Sequence, residues 1–402
     1  MKRCREKFCA FRVLGGSAPG GFFVALCLLG LLGLVGLVCL TACELPFFAE
    51  PPVLVMTYNV HNLFDDVCDG SEYPEFVPEE GGWDTAAFHA RLDDIGRVIR
   101  GTRGTYGNGP DVVVLAEVEN LHVVEELRDR VLGRRRYSVA VASAVEGNAI
   151  QIGLLSRFPL EDIRLHGFEP LEDKQVRPVM EAVVRLDNDK RSRLHIFACH
   201  WPSKLGGEEA TEVLRLQAAG VVARRVYQLG QEAPNDLVLV CGDLNQTLPQ
   251  EIDSCGYMTN EEIAAMPARS LMAACDVPPD LEAACDWATL EGLYSENLRP
   301  LYVSHNMRLA ASQNAVFFSP WRMTEDAGSY VYQDDWEQID HFLLGRGLCG
   351  QSYYPADFWV EKRDWMLTAR GEPRPYQPGR HSGLSDHLPI VLELRPATEN
   401  SR

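Results

Sequence analysis

The sequence predicts an α/β protein with mixed sheets, because β-type runs recur along it, amphipathic stretches separate several of them, and others follow one another directly. Runs rich in β-branched residues and bordered by Gly, Pro or Asp cover 53–60, 111–118, 150–156, 179–186, 194–199, 237–241, 315–319, 338–344 and 388–394. Such composition suits buried or half-buried strands. The hairpin-like successions favour a mixed sheet system over an all-parallel one.

Three helices are expected between the strands. Phe88, Leu92, Ile95 and Ile99 repeat at helical spacing behind Asp84, which can cap the helix start. Asn120 can cap a second helix that carries Val124, Leu127 and Val131 on one face, and a third spans 208–229. The region 246–312 differs, being rich in Pro, Asp, Asn and Ala with three cysteines. It reads as an elaborated loop region over one end of the core. No internal repeat is evident, and 396–402 is expected to fray.

The first residues read as a targeting segment. Lys2, Arg3, Arg5, Lys7 and Arg12 form a basic start, and an apolar run from Gly21 to Leu40 leads into Thr41-Ala42-Cys43. A small residue before a cysteine at the end of an apolar run resembles a bacterial lipoprotein cleavage site. The expectation is a signal peptide over 1–42, lipidation at Cys43, a short linker over 43–52 and one domain over 53–395. The competing reading is an uncleaved membrane-spanning anchor. Both place the chain outside the cytoplasm at a membrane surface, in the bacterial cell envelope.

The whole chain carries a formal charge of −19; removing five cations and one acid before Cys43 leaves −23 for the remainder. Such a surface repels phosphate backbones and argues against tight, metal-free DNA binding. A nuclease whose divalent cation supplies the local positive charge stays open. Beyond Cys43 lie Cys68, Cys199, Cys241, Cys255, Cys275, Cys285 and Cys349, with no CxxC pair or zinc spacing. Cys199 and Cys241 sit in apolar runs and read as small buried residues. Cys255, Cys275 and Cys285 share a loop-rich stretch where an exported protein could form a disulfide.

Polar and acidic groups cluster where the expected strands end: YNVHNLFD at 58–65, LAEVEN at 115–120, CHWPSK at 199–204, CGDLN at 241–245, EQIDHFLL at 337–344 and SDHLP at 385–389. Side chains at strand C-termini can converge on one rim, where α/β proteins bind ligands. Each piece alone has a plain reading. Asn59 could satisfy a turn, Glu117 could support the next helix, and Asp386 with His387 could be a surface pair. Alternation points His341 away from Asp340 and into a structural role. The ordered set is what these separate readings do not explain.

With IGLLSRFP at 152–159, that ordered set resembles the endonuclease/exonuclease/phosphatase superfamily over about 53–394. The resemblance implies a four-layer α/β sandwich, two mixed β-sheets packed face to face with helices outside, and metal-dependent cleavage of phosphate esters. It implies Glu117 as the metal ligand, with Asn59 ligating beside it or orienting it and Asp386 completing the shell. Mg²⁺ suits such hard oxygens, with Mn²⁺ as a substitute. Asp243 would orient or deprotonate the attacking water, and Asn245 would donate to a phosphoryl oxygen. His387, paired with Asp340, is the second base or charge-stabilising group, and His200 would stabilise developing negative charge. Arg177 and Lys204 are expected phosphate contacts, with solvated surface charge as their plain reading. Abasic-site enzymes of the superfamily carry an acid where this chain has His61, which argues against that group.

The leading expectation is an exported, anchored, monomeric nuclease acting on nucleic acid. The alternatives are a phospholipid phosphodiesterase of sphingomyelinase type or a phosphatase, and a non-catalytic surface-binding lipoprotein. Intact Asn59, Glu117, His200, Asp243, Asn245, Asp340 and His387 place the last of these third.

Overall fold

Two large mixed sheets carry more than half of the buried apolar side chains, and helices and loops packed on them supply the rest. The computed structural model describes residues 51–78, 82–103, 109–168, 177–186, 192–253, 269–273 and 299–397. Cys43, Cys255, Cys275 and Cys285 lie outside the described residues.

The first sheet has six strands, in the order β15 (Tyr353–Val360), β16 (Ile390–Pro396), β1 (Val53–Leu63), β2 (Val112–Val118), β4 (Gln151–Ser156) and β3 (Val139–Ala142). Only β1 and β2 run parallel in it. The second has eight: β5 (Leu160–His166), β6 (Val179–Arg185), β7 (Arg193–His200), β8 (Leu237–Asp243), β14 (Asp340–Leu344), β11 (Val316–Phe318), β10 (Leu301–Ser304) and β9 (Leu271–Ala273). Here β7 is parallel to β8, and β14 is antiparallel to β8. A hairpin of β12 (Tyr330–Tyr332) and β13 (Asp335–Glu337) stands apart.

Strand alternation builds the layers. Leu194, Ile196 and Ala198 of β7 join Leu239, Phe342, Val55 and Leu392 in the core between the sheets. The other face of β7 presents Phe197 and Cys199 to a second core with Ala218, Ala219, Val222 and Val226. Those four come from α3 (Glu208–Glu232), which covers the second sheet. On the other flank, α1 (Thr85–Gly101) buries Phe88, Leu92, Ile95 and Ile99, and the Asp84 carboxylate caps it by accepting from the Ala87 amide at 2.8 Å. Asn120 caps α2 (Leu121–Glu126), after which the backbone widens into a π-helical turn over Leu127–Leu132. The result is the expected four-layer sandwich. With both faces of its central strands covered, the runs are continuously apolar; Cys199 and Cys241 are indeed buried.

The structure departs from the sequence reading at the sheet edges. β5 is an edge strand whose charged, largely exposed face gives it no apolar run, and edge strands tolerate such charges. β15 is another edge, with Pro355 beside a register shift. Within 246–312, β9 and β10 extend the second sheet, and α4 (Met307–Ser312) follows them.

Candidate active site

The site forms where strand ends from both sheets meet, and two kinds of end contribute. Asn59, Glu117, His200 and Asp243 lie toward the C-terminal ends of β1, β2, β7 and β8. Asp340 instead opens β14, and His387 precedes β16. All six motifs were expected at strand C-termini; because β14 and β16 run antiparallel to their neighbours, their starting ends reach the same rim. Asp340 is the register partner of Asp243, which is also the register partner of His200.

Local backbone irregularity aims the side chains. The β1–β2 register shifts between Asn59 and Leu63, where His61 and Asn62 have φ of 54° and 61°. On β2, Glu117 itself has φ 66° at a second register shift. Such bulges redirect a side chain out of the alternating pattern. Gly242, at φ 131°, lies so close to β7 that an added Cβ would sit 1.9 Å from the Cys199 carbonyl oxygen. Only glycine lets β8 deliver Asp243 there.

Asn59 is the hub. Its Nδ2 donates to Glu117 Oε1 and to Asp243 Oδ2, both at 3.0 Å, while its Oδ1 accepts from the His61 amide at 3.0 Å. The backbone donor fixes which end of the amide faces the carboxylates, so Asn59 is built to orient Glu117 and Asp243. Glu117 Oε2 also accepts from the Asn62 amide at 3.0 Å. Asp243 Oδ1 accepts from the Asn245 amide at 2.9 Å, and Oδ2 lies 3.8 Å from both His200 Nε2 and His387 Nε2. His200 Nε2 is 3.7 Å from Glu117 Oε1. His387 Nδ1 pairs with Asp340 Oδ2 at 2.8 Å.

These contacts set the protonation states. Burial, with Asp340 adding to it, pushes the Asp243 carboxyl up to about 7, against the opposing pull of His387 and its hydrogen bonds. Burial works against the His387 charge, but the Asp340 and Asp243 carboxylates outweigh it and hold the imidazole well above its ordinary range. His200 goes the other way: burial, Arg177 and His387 all hold it well below that range, so it is neutral.

The remaining expected site residues are spread more widely. Asn245, at φ 49°, uses one Nδ2 proton on the Trp201 carbonyl at 3.0 Å, leaving the second N–H of the amide. Arg177 donates from Nε to the His200 carbonyl at 3.1 Å and from Nη2 to the Trp201 carbonyl at 3.3 Å, bracing the end of β7. Lys204 lies in the turn after β7, 3.5 Å from Glu208 at the start of α3. Asp386 faces His61, with Oδ1 3.6 Å from Nδ1, and that nitrogen also accepts from the Tyr376 amide at 3.2 Å. His341 is buried, with Nε2 2.7 Å from the Gln246 carbonyl.

Sequence reasoning missed three contributors. Ser329 donates to Asp340 Oδ2 at 2.6 Å. Ser385 donates to the Asn59 carbonyl at 2.7 Å and accepts from the His387 amide at 3.0 Å, tying β1 to the His387 loop. The Tyr330 ring lies 4.7 Å from the His387 ring, centre to centre. A lone hydroxyl or ring outside any periodic run gives no warning of such roles; for Ser385, adjacency to Asp386 and His387 was the one available signal.

The donor set fits a hard divalent cation. Glu117 offers a half-buried carboxylate already oriented by Asn59 and the Asn62 amide. Asp243, Asp340 and His387 form a further group whose ligand atoms all lie within 4.8 Å of one another. In that group the imidazole is bound to Asp340, which suits a proton-holding pair better than a coordinating one. Asp340 Oδ1, however, is buried with no hydrogen-bond partner.

Carboxylates beside a paired imidazole and a neutral histidine, on the rim of a two-sheet sandwich, define a phosphoester-hydrolase type of site. The family model of the endonuclease/exonuclease/phosphatase family matches residues 54–259. The chain belongs to that family. No curated protein sequence matches it. Similar solved structures include truncated TDP2 from Caenorhabditis elegans, at 13% identity and a TM-score of 0.46, covering 86% of this chain and 98% of that one. The human Nocturnin catalytic domain with bound sulfate gives 13% and 0.46, over 86% and 95% of the two chains. A conserved protein of unknown function from Enterococcus faecalis gives 11% and 0.47, over 86% and 100%.

Proposed function

We propose that the chain is a metal-dependent phosphodiesterase that cleaves nucleic acid, exported and lipid-anchored through Cys43. The observation that carries the reading is the convergence on Asp243: Asn59 at 3.0 Å, and His200 and His387 each at 3.8 Å. A Mg²⁺ ion held by Glu117, with Asp386 as a further ligand and Mn²⁺ as a substitute, would supply Lewis acidity toward the phosphoryl oxygens.

The chain's own groups do the rest. Asp243, with its carboxyl raised to about 7, is tuned to take a proton from the attacking water near neutral pH. The His387 imidazolium, held by Asp340, faces the charge that develops on the pentacovalent phosphorus. Neutral His200 donates without adding charge, and the free N–H of Asn245 is available to a phosphoryl oxygen. Lys204 and Arg177 serve phosphate binding from the β7 end.

A second reading, a phospholipid phosphodiesterase, is favoured by Leu205, which is 92% exposed on the turn after His200 and Trp201. An exposed leucine beside the site of an anchored protein suits contact with acyl chains. The test is to incubate the soluble part beginning after Cys43 with plasmid DNA, RNA, sphingomyelin and a soluble inositol polyphosphate, with Mg²⁺, Mn²⁺ or EDTA. Metal-dependent nicking of plasmid is expected. Release of phosphocholine or inorganic phosphate with DNA untouched would replace the nuclease reading with the lipid or phosphatase one.

A further inference from the structure

We infer a calcium site outside the catalytic rim, formed by Asp69, Glu72 and Glu119. The loop leaving β1 carries acids at Asp65, Asp66, Asp69 and Glu72, a dense run of like charge. Glu119, one residue past the end of β2, lies against it and is 3% exposed. Its Oε2 accepts from the Asp65 amide at 2.7 Å, whereas its Oε1 is buried with no hydrogen-bond partner. One oxygen each of Asp69, Glu72 and Glu119 lies within 4.8 Å of the others.

The outer acids have uncharged partners only, among the described residues: Glu72 Oε1 and Oε2 accept from the Asp69 and Gly70 amides, and Asp69 Oδ1 accepts from Ser71, all within the same loop. Among the described residues no Lys, Arg or His forms an ion pair with Asp65, Asp66, Asp69, Glu72 or Glu119. Asp65 is already spent, its two oxygens accepting from the Val67 amide at 2.8 Å and Asn120 Nδ2 at 2.9 Å. A buried carboxylate oxygen without donor or cation loses its hydration for no return. A cation set among these three carboxylates supplies what is missing.

The chemistry favours calcium. All donors are hard oxygens, and two ligands on opposite sides of a calcium ion, each bonded at about 2.3–2.6 Å, stand about 4.6–5.2 Å apart. Asp69 is exposed and Glu72 half-buried, which leaves one side of the ion to water, as calcium's six to eight ligands require. Magnesium's bonds of about 2.0–2.1 Å and strict octahedron demand a tighter cage. Bound calcium would fasten the 65–72 loop to the strand end two residues beyond Glu117, and so hold the backbone that presents that residue.

The test is calorimetric titration of the full chain in detergent with calcium, in saturating magnesium so that the catalytic rim is occupied. Thermal midpoints at the same calcium concentrations give a second readout. One calcium per chain is expected, with an affinity in the range of about 10⁻⁴–10⁻³ M typical of extracellular modules. Glu119→Gln should weaken it at least about tenfold, and so should the paired Asp69→Asn and Glu72→Gln change, which lies on the loop and leaves the core intact. Glu117→Gln should keep the calcium. Failure to bind at about 10 mM, tenfold above that range, would overturn the site; so would unchanged affinity in the paired loop variant.

Discussion

Asp340→Asn separates the charge that holds His387 from the shape that holds it. Asp340 Oδ2 accepts from His387 Nδ1 at 2.8 Å and from Ser329 Oγ at 2.6 Å. An amide of the same shape can still accept with its oxygen, so the negative charge is what disappears. Two unit charges about 4 Å apart attract by about 4 kcal/mol at an effective dielectric of about 20. That is about three powers of ten in the protonation of the imidazole. His387 should therefore give up its proton far more readily, and its stabilisation of the transition state should weaken with it. The sign for stability follows from the raised folded value: the contribution is fully present below the unfolded value of about 6.5 and is lost as pH rises through the folded one. The gap in stability between the native chain and the variant should be widest below about pH 6 and narrow toward alkaline pH. Steady-state rates on a fluorogenic oligonucleotide with Mg²⁺ at pH 7 should show kcat down by about 10²–10⁴ with KM little changed. A folded variant with kcat within about threefold of native would refute the role of the pair, as would a stability gap that widens with pH.

Other outcomes follow from the same contacts. Asp243→Asn keeps the volume but removes the base, so hydrolysis should fall by at least about 10²-fold with an unchanged far-ultraviolet circular dichroism spectrum; full activity in it would rule out Asp243 as the proton acceptor. EDTA should abolish cleavage and added Mg²⁺ or Mn²⁺ should restore it, whereas activity that persists in chelator would contradict a role for Glu117 in holding a cation. Away from the site, buried Glu181 accepts from His195 Nδ1 at 2.7 Å, His166 Nε2 at 2.7 Å and Arg225 Nε at 3.0 Å. Breaking such a buried network costs about 3–5 kcal/mol, so Glu181→Gln should lower the urea midpoint at pH 7. Burial raises that carboxyl, but the two histidines and Arg225 outweigh it and hold it below its ordinary value. Its contribution is therefore present above the unfolded value and fades in acid, and the deficit of the variant should shrink as pH falls below about 4.

What could be read from the sequence follows burial. β1, β2, β7, β8 and β14 are covered on both sides, so each announces itself as an apolar run. β5 is exposed on one side and at an edge, and its residues Glu161, Asp162 and Arg164 hide it. At the site the motif order brought out residues fixed by strand geometry, such as Asp243 and Asp340. It left open whether Asn59 ligates or orients, because that depends on the His61 amide, placed by a bulge that no periodicity encodes. Asp386 shows the same limit: its pairing with His61 joins the bulged end of β1 to a loop far away in sequence.

The composition and the rim make one electrostatic argument. With −23 over residues 43–402, the chain offers a phosphodiester no long-range attraction. At the rim, Glu117, Asp243, Asp340 and Asp386 outnumber Arg177 and the His387 imidazolium, and Arg177 already gives two of its N–H groups to the His200 and Trp201 carbonyls. A phosphate approaching these side chains alone meets net repulsion at short range, where the protein screens it least. Attraction has to come from a cation at the carboxylates. On the proposed reading, a divalent ion would bind substrate as well as activate it, and the carboxylate surplus that would be a defect in a metal-free nuclease is what a metal-dependent one would require.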